Sequence, residues 1–95
     1  MIYENDIDAL LEQAGLVINA IQDHLRLKSD SGAEEILNKY LVFFDKCSGG
    51  SVSDSDVEAV SGLSRMYMET SSDWRVLFLN EMGRMEKIIK KIRHQ

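Results

Sequence analysis

The groups in this 95-residue chain that could do chemistry are sixteen carboxylates, one thiol and two imidazoles. The question is whether any of them converge. The densest stretch is DKCSGGSVSDSD, residues 45–56. Asp45 stands first, Gly50 sixth, Val52 eighth and Asp56 twelfth, which is the layout of a loop wrapped around a hard cation. The donors do not suit the metal. Calcium takes about six to eight oxygen ligands and thiols are poor ligands for it. Yet the third place is Cys47, the fifth is Gly49, and the short Asp56 stands where a bidentate Glu is needed. Local structure explains the same residues: glycines end one helix, and serines and acids cap the next. The stretch is read as a polar turn, so neither a metal nor any other cofactor is expected.

Catalytic arrangements are equally sparse. His24 and His94 lie far apart in sequence, and His94 is next to the terminus. Cys47 falls on the apolar face of a helix, where a thiol is an inert small hydrophobe rather than a nucleophile. Cys-x-x-Cys, His-Glu-x-x-His and the Glu-x-x-His spacing of di-iron bundles are all missing. Glu81 falls near an apolar stripe, an edge position from which its head reaches water. The chain is expected not to be an enzyme.

Two families share fragments of the 45–60 region. DKCSGGSVSDSD resembles an EF-hand loop over that loop and its flanks, but departs from it at Cys47, Gly49 and Asp56, and no second hand is present. SDSDVEAV resembles the Asp-Ser start of the modified helix in acyl carrier proteins, where the serine carries a phosphopantetheine arm. Asp54 and Ser55 match; Asp56 replaces the usual Leu, and a long helix precedes the site where that family has a loop. A degenerate EF-hand or carrier-like domain is therefore the remote alternative.

The elements that must position these groups read as four helices. The first spans about 6–28, with Ile7, Leu10, Leu11, Ala14, Val17, Ile18, Ile21 and Leu25 in steps of three and four and Asn5 as N-cap. The second spans about 32–47, opened by Ser31 and Glu34 at capping-box spacing, with Ile36, Leu37, Tyr40, Phe43, Phe44 and Cys47 on one face. The third spans about 56–70, capped by Ser53 or Ser55, with Ser55 and Glu58 at capping-box spacing and Val57, Val60, Leu63, Tyr67 and Met68 inward. The fourth spans about 74–93, with Trp74, Phe78, Met82, Met85, Ile88, Ile89 and Ile92 inward. Glu35–Lys39 and Glu86–Lys90 form i,i+4 pairs. Nothing alternates with the period of a strand. Helices joined by short loops pack as antiparallel neighbours. The expected fold is all-α, an antiparallel four-helix bundle, one domain over residues 1–95. The chain's two ends then lie together, and Lys90, Lys91 and Arg93 are expected to neutralise Glu4, Asp6 and Asp8.

Composition narrows the job. Residues 1–83 hold 15 acids and 6 bases, a balance of −9; residues 84–95 hold 5 bases and 1 acid, a balance of +4. Nucleic acid is excluded as the main ligand, because phosphate binding needs clustered Lys and Arg. No apolar run reaches the ~20 residues of a membrane span, and the acidic N-terminus is unlike a signal peptide. A single cysteine fits a reducing compartment, so a cytoplasmic, bacterial protein is expected. The acidic bulk favours a basic protein partner. Asp54, Asp56 and Glu58 crowd one junction, and Glu34 and Glu35 another; these five are the candidate partner-binding residues. A second apolar line, Ala9, Leu16, Ala20 and Leu27, with Val76 and Leu79, supports a homodimeric adaptor as the alternative.

In size, charge and helical class the whole chain resembles the small acidic immunity proteins of bacterial nuclease toxins, the colicin-D-type and contact-dependent-inhibition ones. No motif carries that resemblance and no residue is transferred from it. It implies a toxin-domain partner whose basic active-site cleft is blocked by carboxylates standing in for substrate phosphates.

Overall fold

A computed structural model describes residues 4–70 and 75–93. Trp74 and His94, both singled out in the sequence, lie outside them. The described chain forms five helices: α1 Glu4–Leu27, α2 Ser31–Ser48, α3 Asp54–Ser61, α4 Leu63–Thr70 and α5 Leu77–Arg93. No strand occurs among the described residues. The helices build four rods, because α3 and α4 run on from one another and together make the third. Rods pack in a square. α1 lies against α2 and α5, and α3 and α4 close the square between α2 and α5. The fold is the expected all-α antiparallel four-helix bundle.

α1 carries the frame. Its 24 residues span ~36 Å at the rise of an α-helix, which matches the 37 Å long axis of the molecule. Leu10, Ala14, Val17, Ile18 and Ile21 point inward. They meet Ile36, Tyr40 and Phe43 of α2 and Phe78, Met82, Met85 and Ile89 of α5 in one cluster. Each such side chain, fully buried, contributes roughly 1.5–3 kcal/mol of apolar transfer free energy. Ile7, Leu11, Leu25, Leu37 and Ile88 are partly buried against that cluster. Gly15 faces the Phe44 ring of α2, where a Cβ would stand 3.7 Å from it, an ordinary contact distance.

The boundaries and caps differ from the sequence reading in five places. The third helix is broken at Gly62, whose N–H bonds the Val60 carbonyl and closes α3. The fourth begins at Leu77, so Val76 precedes it. α1 already includes Glu4, which puts Asn5 inside the helix rather than at its cap. The cap of α2 sits earlier than expected, whereas α3 is capped by Ser53, one of the two serines expected there. Asp30 caps α2, accepting from the Ala33 amide, in place of the Ser31–Glu34 box. Ser53 with Asp56, not Ser55 with Glu58, forms the capping box of α3.

Candidate protein-binding surfaces

The loop that looked like a cation site is mostly helix. Asp45, Lys46, Cys47 and Ser48 belong to α2, and the Asp45 carbonyl is taken by the Gly49 amide. Gly50 makes the turn at φ 72, a left-handed conformation that glycine adopts without penalty. Among the described residues no group of three or more His, Cys, Asp or Glu is placed to hold a metal ion. Burial pushes the Cys47 thiol up to about 11, with the Asp56 carboxylate adding to the effect.

Because α2 is antiparallel to α1 and to the third rod, its C-terminal end lies with the starts of α1 and α3. That end gathers Glu4, Asp8, Asp45 and Asp54, all exposed. Asp56 stands apart from them. Lys46 Nζ donates to its Oδ1 at 2.8 Å, and the Ser53 amide donates to its Oδ2 at 2.9 Å. Those two bonds, the lysine's first, hold its carboxyl at about 2. Asp56 is thus an internal strut, whereas Asp54 beside it is free to face a partner. Glu58 is 70% exposed and lies 3.8 Å from Arg93. This ion pair joins the basic end of α5 to α3.

Glu34 and Glu35 are exposed in the first turns of α2. They stand at the opposite end of the bundle, separated from the end that holds Asp54 by ~20 Å of α2 at the α-helical rise. The five expected binding residues therefore form two separate patches. Between them, along α2 and α3, runs a groove of about 310 Å³ lined by Val42, Phe43, Ala59 and Val60 together with Lys39, Lys46 and Asp56. Val42 is 59% exposed at its lip.

At the Glu35 end lies a polar network that the sequence did not disclose. Asp30 accepts from the Tyr67 hydroxyl at 2.6 Å, sits 2.9 Å from His24 Nε2, and accepts from the Ala33 amide at 3.1 Å. Burial works to raise the Asp30 pKa, but the bonds from Tyr67, His24 and Ala33 outweigh it and leave it below the usual carboxylate value. Phe78 fixes both aromatic partners, edge-on to His24 at 5.1 Å and to Tyr67 at 4.9 Å. One carboxylate thus ties α1, α2 and α4 together over the start of α5. Its hydrogen bonds give it a structural task. A second interior contact joins α1 to α5: buried Gln13 donates to the Glu81 carbonyl at 2.8 Å and to its Oε1 at 3.1 Å. Glu81, which the sequence placed with its head in water, is thereby engaged, and Arg84 pairs with it at 3.3 Å. Glu86 turns inward, accepting from the Ser64 hydroxyl.

Set against family models, curated proteins and solved structures, the chain matches none. Among the described residues no helix is long and apolar enough to cross a membrane.

Proposed function

We propose that this chain is a non-catalytic protein-binding module, an immunity protein that neutralises a basic nuclease toxin by occluding its active site. Its setting is the bacterial cytoplasm, and its partner is a cationic toxin domain. The observation that supports this reading is the division of labour among the acids. Asp30 and Asp56 are tied into the scaffold, while Asp54, Glu58, Glu4, Asp8 and Asp45 stand exposed at one end with no structural task of comparable weight. Carboxylates held on rigid helix ends imitate the charge of a phosphate backbone, and a cationic cleft is drawn to them at high rate.

The groove beside that end gives the partner an apolar anchor point. Interfaces concentrate their energy in a few side chains seated in such pockets, with charges at the rim steering approach. Val42, Phe43, Ala59 and Val60 supply the apolar lining, with Lys39, Lys46 and Asp56 as its charged members; Asp54 and Glu58 flank Asp56 in sequence on α3. Glu34 and Glu35, at the far end, form a second and separate acidic contact.

The test measures binding to basic nuclease toxin domains. Asp54→Asn and Glu58→Gln together, with Asp56 left intact to preserve the α3 cap, slow association and flatten its dependence on salt. Glu34→Gln with Glu35→Gln tests the other end separately. Binding that persists at full strength when Asp54, Asp56, Glu58, Glu34 and Glu35 are all neutral removes the acidic sites from the account. Retained inhibition with those variants removes active-site mimicry.

A further inference from the structure

The apolar line along the outside of α1 ends at a groove. Between the C-terminal half of α1 and the start of α5 is a cavity of about 430 Å³, lined in part by Ala20, His24, Leu27, Val76 and Leu77. A cleft of that size readily admits an apolar side chain. Leu27 and Leu77 rise on its two walls, 90% and 77% exposed. The line continues along α1 through half-buried Ala20 to Leu16, 45% exposed. Of the five large hydrophobic residues exposed among the described positions, Leu16, Leu27 and Leu77 share this one face. A soluble protein carries scattered exposed apolar residues without consequence, but a contiguous set around a groove marks an interaction surface. The structure also revises its membership. Val76 is buried, Leu79 packs partly against the core, and Leu77 takes their place.

Charge indicates what covers it. Asp23, Glu81 and Arg75 line the groove, with Arg26 and Arg84 beside the two acids, so the face carries charges of both signs. Arg26 already meets Asp23 at 2.6 Å, and Arg84 meets Glu81 at 3.3 Å. An all-acidic face repels its own copy, whereas a face of both signs can meet itself with opposite charges opposed. We propose that the α1–α5 face is a homodimer interface, in which Leu27 of each copy sits in the groove of the other against Leu77. In a twofold contact residue i meets j and j meets i, so the Leu27–Leu77 contact is made twice. The face runs ~16 Å along α1 from Leu16 to Leu27 and is two helices wide. That is the small end of specific interfaces, so the dimer forms at high micromolar concentration and dissociates on dilution. None of this depends on the acidic end of the bundle or on the toxin reading.

Sedimentation equilibrium on the full chain tests the proposal. The wild-type mass rises from one chain, 10.8 kDa, to two as concentration increases. Leu27→Lys and Leu77→Asp each weaken association by about tenfold or more, because each removes two buried leucine contacts per dimer. Both positions are exposed in the single chain, so helical circular dichroism and melting temperature stay unchanged. Mixing the two variants restores a dimer, since the new lysine then faces the new aspartate. A single-chain mass at every concentration overturns the proposal. So do variants that associate like wild type, or a mixture that stays monomeric.

Discussion

Replacing Asp30 by alanine should be among the most damaging single polar substitutions in this chain, and the structure says by how much. The carboxylate caps α2 through the Ala33 amide, and losing an N-cap costs about 1 kcal/mol. It also accepts the Tyr67 hydroxyl, and Tyr67 is only 2% exposed. Stranding a buried donor adds roughly 1–3 kcal/mol. The His24 contact goes as well, though part of that loss is recovered by water at this partly exposed site. Asp30→Ala should therefore destabilise by about 2–4 kcal/mol, a large share of the ~5–15 kcal/mol available to a domain. Asp30→Asn keeps a capping oxygen and should lose less. pH supplies a second arm. The Asp30 pKa is lowered in the folded state, so its stabilisation is fully present above the ordinary aspartate value and is lost as pH falls through the folded one. The stability difference between wild type and Asp30→Asn should accordingly be largest at neutral pH and shrink in acid. Urea unfolding followed by circular dichroism between neutral pH and pH ~3 reads both arms. A loss no greater than the ~0.5 kcal/mol of an ordinary surface change would refute the linchpin role assigned to Asp30.

Three further outcomes follow from single side chains. The Tyr40 hydroxyl is buried with no hydrogen-bond partner among the described residues, and burial together with the Glu86 charge pushes its pKa up. Tyr40→Phe should thus be neutral or stabilising by about 1 kcal/mol, seen as a melting temperature that does not fall. At the two turn glycines alanine should act with opposite signs: at Gly62 a Cβ meets nothing within 4 Å and φ is −100, so Gly62→Ala should gain about 0.4–1 kcal/mol, whereas Gly50→Ala at φ 72 should lose about 1–2 kcal/mol; parallel urea titrations separate them. Cys47, with its thiol raised to about 11, should react with a disulfide reagent only as fast as the chain opens, and reaction at the rate of a free thiol in the native state would contradict its burial.

The period of the apolar residues made the four rods legible, because every inward stripe depends only on neighbours three and four apart. The same logic explains why the break at Gly62 was not. Val57, Val60, Leu63 and Tyr67 keep helical spacing straight across it, so the pattern on either side looks continuous. The cap of α2 was misplaced for a different reason. Asp30 and Ser31 are adjacent and both suit an N-cap; what selects Asp30 is Tyr67, 37 positions away, and His24 across the turn. Asp56 was read as a surface acid because its lysine partner comes from the preceding helix, ten positions back. Leu77 was overlooked because the helix containing it begins later than expected, which moved the exposed line from Val76 and Leu79 onto Leu77.

These particulars change how charge in this protein must be probed. Net charge treats all carboxylates alike, but the bundle uses them in two ways. Asp30 and Asp56 have lowered pKa values because donors converge on them, and neutralising either one loosens helix ends as well as removing charge. Asp54, beside Asp56 in the chain, and Glu34, four residues beyond Asp30, are exposed and can be neutralised with the scaffold intact. An experiment that changed Asp54 and Asp56 together would therefore confound lost recognition with lost structure, and weakened binding in that variant would carry no information about the interface. Only variants drawn from the exposed set, checked for unchanged unfolding, can assign a binding defect to electrostatics. That distinction was invisible in composition and follows directly from which carboxylates the helix ends have already engaged.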